Sequence, residues 1–368
     1  MNPLDDHFAK WLGSGEEART RMTVAGWRER VDQLGVYFPD GDAAGPALTD
    51  ENDTLDALRW YAEALNLHGF PGRAIGLYEQ HDTRCRERRL DHGLAASLAQ
   101  YAKSLRQVGR FRDADRVSIE ARAVQRRVGN RMLEAVNLTW YGMGLAHRGE
   151  VAAGAAAFDE AMAIFTAELA DQSRGVVAAF RAQRALWLGE PDEALAHATR
   201  AWEIAEPLET LSTHVDRFGA RKVAASAARL QGEALVLLDR HSDGRAWLQR
   251  AHALASEVVF IEELIPIQRA LTISSLEQGD LVGASAYLAT ALAMCEAGQY
   301  RPYAAEAQLL RAEIATRSGN RALAAEATAA ARDLAMCDGP PFAYQRVLDD
   351  ANRLSARLAS GAAERSRE

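Results

Sequence analysis

The sequence predicts an all-α protein, a right-handed α-solenoid of about seven helical hairpins with capping helices at its two ends. The composition favours helix, because Ala, Leu, Glu and Arg dominate while Pro is limited to 10 residues and aromatic residues to 7%. Glycines recur at an interval of 40 residues, and a second set of small residues keeps the same register. A chain of 368 residues is longer than one hydrophobic core usually is, so this repeat indicates a linear array of hairpins.

The repeat is set by glycines that end helix-like runs. They are Gly69, Gly109, Gly149, Gly189, Gly279 and Gly319. The first four are 40 residues apart, and so are the last two. The remaining interval of 90 residues fits one unit of 40 and one of 50, with Asp239 in the glycine position. Glycine at such a place can adopt the left-handed backbone conformation that ends a helix.

Two further positions in each unit carry small residues. Twelve residues beyond each turn stand Ala121, Ala161, Ala201, Ala251, Ala291 and Ala331, with His81 the exception in the first unit. Five residues beyond each turn stand Ala74, Ala114, Gly154, Ala194, Gly244, Ala284 and Ala324. Small side chains let helix axes approach closely, so each unit is predicted to be two helices packed near their turn. Stacked neighbours then bury the apolar face that one hairpin leaves open.

Part of each unit resembles the tetratricopeptide repeat. Its pattern, W-x2-L-G-x2-Y followed by A-x3-F, is similar to the residues Leu138, Tyr141, Gly142, Leu145, Gly154 and Phe158, and to Ala74 with Tyr78. The likeness covers roughly residues 50–336, with a period of 40 where the family has 34. Units of this length look like those in the sensor or partner-binding regions of bacterial signalling regulators. The resemblance implies a superhelix with a concave binding groove.

The segments outside the regular array are assigned as follows. Residues 1–36 are predicted to form an N-terminal helical cap or docking segment, and residues 50–336 the array. Residues 340–359 are predicted to form a C-terminal capping helix and residues 360–368 a flexible tail. The additional residues of the fifth unit fall near 206–222, either as a loop or as extended helices, and a functional role for this insertion stays open.

Signatures of catalysis are missing from the sequence. It has no G-x-x-x-x-G-K-[ST], H-E-x-x-H or G-x-S-x-G motif, and its 9 histidines form no i, i+4 pair. We therefore expect no enzyme activity, catalytic residue, cofactor or metal site. The net charge of −8 argues against a broad nucleic-acid surface, and no membrane association is expected. The cytoplasm is the expected location, and the oligomeric state stays open. The arginine-rich segment 84–92 forms either an anion-binding rim or a solvated edge.

The resemblance implies that the first helix of each hairpin lines the groove. The groove residues expected on this basis are Arg59, Glu63, Asn66, Lys103, Arg106, Thr139, Met143, Gln183, Arg229, Glu233 and Arg269. Lys103 and Arg106 are expected to form a cationic seat for a carboxylate, whereas Trp140 and Trp187 are expected to be packing residues. The sequence thus favours a non-enzymatic protein that binds a peptide or protein partner in a regulatory assembly. The alternative is a small-molecule sensor or an enzyme that uses the groove as a ligand pocket.

Overall fold

The computed structural model describes residues 69–168, 173–208, 214–257 and 260–365, together with residues 55, 58, 59, 62, 63, 65 and 66. The last group is helical. The described residues form fourteen further helices, joined mostly by short turns. Their bounds are α1 Pro71–Glu87, α2 Asp91–Gln107, α3 Phe111–Arg127, α4 Arg131–His147, α5 Val151–Glu168, α6 Ser173–Leu188, α7 Pro191–Leu208, α8 His214–Leu237, α9 His241–Glu257, α10 Ile261–Glu277, α11 Leu281–Gly298, α12 Arg301–Arg317, α13 Arg321–Ala335 and α14 Gln345–Arg365. The predicted all-α solenoid of helical hairpins is confirmed.

The turn positions adopt the backbone conformation that their spacing predicted. All six glycines of the schedule have positive φ, from 74° at Gly189 and Gly279 to 89° at Gly69. Asp239, which stands in the glycine position of the fifth unit, also lies in the left-handed region with φ 58°. The missing glycine therefore did not mark a missing turn, because aspartate is among the few side chains that tolerate this conformation.

The small residues beyond each turn are buried where the two helices of a hairpin touch. Gly142 faces Gly154 so closely that a Cβ on Gly142 would stand 2.9 Å from the Gly154 carbonyl oxygen. Gly232 and Gly244 form the same kind of pair in the fifth hairpin, at 3.0 Å. The other hairpins carry Ala or Thr opposite Ala at these two positions. The backbones of the third and fifth hairpins therefore approach directly at these glycine pairs.

Some segments differ from their sequence assignment or lie beyond the described residues. α8 is 24 residues long and begins at His214, so much of the segment 206–222 is helical. α14 continues to Arg365 and takes in residues that were assigned to a flexible tail, because residues 362–365 are Ala, Ala, Glu and Arg, which favour helix. The N-terminal segment 1–36 lies outside the described residues.

The superhelix completes a turn after five hairpins, and its next turn packs onto the first. A Cβ on Gly69 would stand 2.6 Å from Ile261, at the start of α10. Gly109 approaches Arg301, at the start of α12, to 3.0 Å, and Gly149 approaches Gln345, at the start of α14, to 3.2 Å, by the same measure. In contrast, the later turn glycines at 189, 279 and 319 have nothing within 4 Å of such a Cβ. The first three turns are thus covered by chain that follows five hairpins later.

Apolar and polar contacts close this seam. Phe111, at the start of α3, is 1% exposed and packs in a cluster with Tyr344 and Val347 of the C-terminal region. The backbone amide of Arg112 donates to Asp338 at 2.9 Å. These contacts join hairpins that are not neighbours in the array, so they hold successive turns of the superhelix together around an interior.

One described helix, α11, is long and apolar enough to cross a membrane by length and composition, with a mean hydropathy of 1.3 over 18 residues. In this fold it packs against α10 and α12 through a buried face that includes Ala284, Leu288 and Ala291. A single helix of this kind is a weak indication of a membrane protein.

Candidate functional site: the cavity inside the superhelix

The closed superhelix surrounds a cavity of about 670 Å³. Its walls come mainly from α4, α6, α8 and α10, which are the first helices of hairpins three to six. Tyr303 and Glu306 of α12, with Tyr344 and Arg346 of the C-terminal region, complete the lining. The volume falls in the range of pockets that hold small organic ligands. The first helices line it because the hairpins stack with these helices on the concave side.

One part of the cavity wall is aromatic. Trp140 and Met143 come from α4, Phe158 from α5, and Phe180 and Trp187 from α6. The Phe158 ring meets Trp187 edge-on at 4.8 Å between centroids and Phe180 edge-on at 5.8 Å. These edge-to-face contacts fix the rings relative to one another. This part of the wall can therefore accept an apolar side chain without rearranging.

Another part of the wall is a row of ion pairs that alternates in sign. Arg229 Nη1 lies 2.5 Å from Glu233 Oε1, and Glu233 Oε2 lies 2.9 Å from Arg269. The Arg269 Nε atom is 3.5 Å from Glu306, which also receives a 2.8 Å hydrogen bond from Arg346. Buried charges of this kind are tolerated only when they are paired. This row of ion pairs therefore places fixed charges along the cavity wall, while its total charge stays close to zero.

The carboxylates of this row of ion pairs are held in the ionised form. Burial by itself raises the pKa of Glu306, but Arg269 and Arg346 outweigh it and hold the pKa at about 2. The pKa of Glu233 is also lowered, because Arg269 and Arg229 outweigh the effect of burial. Both groups are therefore charged at neutral pH, and both can accept hydrogen bonds from a polar ligand.

A cationic corner lies where α2 meets α4 and α10. Lys103 Nζ lies 4.6 Å from the centroid of the Trp140 ring and 2.5 Å from Glu262. The guanidinium carbon of Arg106 lies 5.7 Å from the same ring. His147 lies between Phe111 and Tyr344 on the seam, and burial with the nearby Arg106 lowers its pKa to about 3. This corner joins the seam to the cavity, because His147 and Glu262 line the cavity and also make contacts across the seam, with Tyr344 and Lys103 respectively.

The structure brings together some of the residues expected in the groove. Five of them line the cavity: Met143, Gln183, Arg229, Glu233 and Arg269. Lys103 and Arg106 lie behind Trp140 at its edge. Gln183 is tied into the row of ion pairs, since it accepts a 3.0 Å hydrogen bond from Arg229.

The remaining expected residues lie away from the cavity lining. Arg59 and Glu63 form an i, i+4 ion pair at 3.7 Å. Thr139 is 1% exposed and donates its hydroxyl to the Ala135 carbonyl at 2.9 Å. Asn66 is buried in the first hairpin. These positions lie on the first helices of their hairpins, as expected, but the cavity is centred on hairpins three to six.

Sequence reasoning missed two kinds of cavity residue. Trp140 and Trp187 were expected to be packing residues only, and both line the cavity. Tyr344 and Arg346 were assigned to a capping helix, yet closure of the superhelix places them opposite the third hairpin. The repeat spacing carries information about neighbouring hairpins, and it contains no signal for contacts made five hairpins apart.

Comparison with solved structures identifies the architecture. A Rap protein complexed with competence and sporulation factor has a TM-score of 0.59 and 14% identity, with 96% of this chain and 99% of that chain covered. The fold is that of a tetratricopeptide-repeat solenoid. Aspartyl phosphate phosphatase F from Bacillus subtilis has a TM-score of 0.46 and 13% identity, and the match covers 92% of each chain. No protein-family model matches this tetratricopeptide-repeat solenoid, and a comparison with curated proteins finds no match.

Proposed function

We propose that this protein is a non-enzymatic regulator that binds a short peptide, free or as a partner segment, in the cavity of its superhelix. The observation that carries the proposal is the division of one cavity into an aromatic wall and an alternating ionic wall. A peptide offers both apolar side chains and a regularly spaced polar backbone, which suits these two walls together.

The similar fold supports this proposal. The Rap protein with a TM-score of 0.59 is complexed with competence and sporulation factor, so a solenoid of this architecture can bind such a factor. The cavity here is lined by pre-formed ion pairs, which reduce the cost of ordering side chains on binding. A small-molecule ligand is the competing occupant, and the following experiment separates the two.

The test is a selection of ligands by the purified full-length chain. A mixture of random pentapeptides is incubated with the protein, and the bound fraction is separated by gel filtration and identified by mass spectrometry. We expect enrichment of peptides that contain an aromatic or large aliphatic residue. Synthetic versions of the enriched sequences then give dissociation constants by titration calorimetry.

A cavity-filling variant provides the control for position. Ser226 lines the cavity on α8, so Ser226→Trp is expected to abolish binding of the selected peptides. Ser285→Trp, at an exposed position on α11, is expected to bind as the wild type does. Equal binding by both variants, or no enrichment of any pentapeptide over the input mixture, would contradict the proposal.

A further inference from the structure

Arg106 is a buried cation with unused hydrogen-bonding capacity. Its side chain is 2% exposed, and neither Nε nor Nη2 donates a hydrogen bond to any residue that the structure describes. No carboxylate of the described chain lies within ion-pair distance of it. Leaving the donors of a buried charge unpaired costs free energy, so this arrangement needs a compensating role.

The polar groups beside Arg106 share this property. The indole Nε1 of Trp140 and the Nδ1 of His147 are also buried, and within the described residues neither has a hydrogen-bond partner. Both residues line the cavity, and the Arg106 guanidinium lies 5.7 Å from the Trp140 ring. Trp140 and His147, which line the cavity, therefore carry unpartnered polar atoms beside those of Arg106, which lies behind Trp140 at the cavity edge. Such convergence is typical of a ligand-binding subsite.

The charge balance of this corner indicates the ligand group. Lys103 is compensated by Glu262 at 2.5 Å, which leaves the Arg106 charge without a partner among the described residues. One uncompensated positive charge matches a single carboxylate. A phosphate group would bring about 1.5 to 2 negative charges at neutral pH and exceed it.

The two unpartnered nitrogens of Arg106 are the pair that this chain uses elsewhere to hold carboxylates. Arg86 donates from Nε and Nη2 to the two oxygens of Glu120 at 2.9 and 3.0 Å. Arg127 donates from the same two atoms to Asp91 at 2.7 and 3.0 Å. A guanidinium presents these two donors in a planar fork that fits a carboxylate.

We infer that Arg106 binds a carboxylate of the ligand through its Nε and Nη2 atoms and anchors that end of the ligand at the Trp140 corner. The inference rests on the proposed function, since it names the chemical group that the peptide must carry. The carboxylate is either the C-terminal group or an acidic side chain of the peptide. The apolar remainder of the peptide then lies against the aromatic wall.

The test uses three pentapeptide mixtures that differ only in their carboxylates. The first has free C-termini and no acidic residue, the second has amidated C-termini and one Asp or Glu, and the third has amidated C-termini and no acidic residue. We expect the third mixture to bind about 10 to 100-fold more weakly than whichever of the other two binds best. The better of the first two identifies the source of the carboxylate.

An arginine variant shows whether Arg106 is responsible. Arg106→Gln should lower the affinity for the carboxylate-bearing mixture to that for the third mixture. The affinity for the third mixture should not change. Arg116→Gln is the matched control, because Arg116 is 63% exposed on α3. This variant should show the same difference in affinity between the carboxylate-bearing mixture and the third mixture as the wild type does. Circular dichroism checks that the variants fold, and the wild-type comparison of the three mixtures tests the need for a carboxylate even if Arg106→Gln does not fold.

The possible outcomes distinguish the inference from the function on which it rests. Tight binding of the third mixture by the wild type would overturn the carboxylate anchor and leave peptide binding standing. A loss in Arg106→Gln that is equally large for all three mixtures would also overturn it. Failure of every mixture to bind the wild type would overturn the proposed function itself.

Discussion

His147 shows how a single residue makes stability depend on pH. The ring is buried between Phe111 and Tyr344, and Arg106, Glu306 and Arg346 are the charged groups around it. Burial, with Arg106 as the next contributor, lowers its pKa from 6.5 to about 3, so the folded protein keeps the ring neutral. The unfolded chain binds a proton below about pH 6.5, and the folded chain does not. The stability due to the neutral ring is therefore complete above that pH and is lost as the pH falls.

We expect the free energy of unfolding to fall by about 1 kcal/mol between pH 7 and pH 5.5 because of His147 alone. His147→Phe keeps an aromatic ring at the seam but removes the titration, so its stability should change less over the same interval. Urea unfolding of both proteins at the two pH values measures the difference. The pKa of Glu306 is held at about 2, so protonation of this group lowers the stability mainly below pH 4.5. Glu306 therefore does not contribute to the change between pH 7 and pH 5.5. Parallel pH profiles for the two proteins would show that His147 is accessible to protons in the folded state.

The hairpin is the element in which sequence and packing are most directly linked. Gly142 and Gly154 allow the backbones of α4 and α5 to touch, and a Cβ on Gly142 would stand 2.7 Å from Phe158 Cδ2 and 2.9 Å from the Gly154 oxygen. Backbone cannot move aside as a flexible side chain can. Gly142→Ala should therefore force the helices apart and cost about 1 to 3 kcal/mol, despite the better helix propensity of alanine.

Gly76 supplies the matched control for this prediction. It lies within α1, and a Cβ there would meet nothing within 4 Å. Gly76→Ala should raise stability by about 0.5 to 1 kcal/mol, because alanine restricts the unfolded chain and fits the helix. Thermal unfolding followed by circular dichroism compares the two variants. The close approach of α4 and α5 would be contradicted if Gly142→Ala were as stable as Gly76→Ala.

Much of the fold at this scale could be predicted from the sequence, and the reasons are local. The 40-residue schedule located the turns, including Asp239, because each turn needs a left-handed residue at a fixed place. The inner helices followed from the repeat register, which is why Arg229, Glu233 and Arg269 were expected in the groove, and these residues lie in the cavity wall. The seam and the cavity residues Tyr344 and Arg346 could not be predicted, since the curvature of a solenoid depends on small rotations summed over several hairpins.

At the scale of the whole molecule, closure of the superhelix is the property that creates the cavity. Phe111 is the largest side chain of α3 in the seam and is 1% exposed. Phe111→Ala should cost about 3 to 5 kcal/mol and release α14 from the second hairpin. Hydrogen exchange measured by mass spectrometry should show faster exchange in α14, while α9 and α11 change little.

Ile119, which lies on the same helix and is 62% exposed, is the control position for the seam. Ile119→Ala should leave exchange in α14 as it is in the wild type. If Phe111→Ala also left α14 fully protected, the two superhelical turns would be held together by other contacts and the seam would have to be reassigned.

Site-specific photo-cross-linking tests most directly whether the cavity holds the ligand. A photoreactive benzoylphenylalanine replaces Val223, which lines the cavity on α8, or Val282, which is 83% exposed on the outer side of α11. Each protein is irradiated with a peptide selected by the wild-type chain, and the adducts are counted by mass spectrometry. Cross-linking at Val223 and none at Val282 is the result that we predict. Adducts at Val282 in the absence of adducts at Val223, with both proteins folded and binding the peptide, would contradict binding in the cavity.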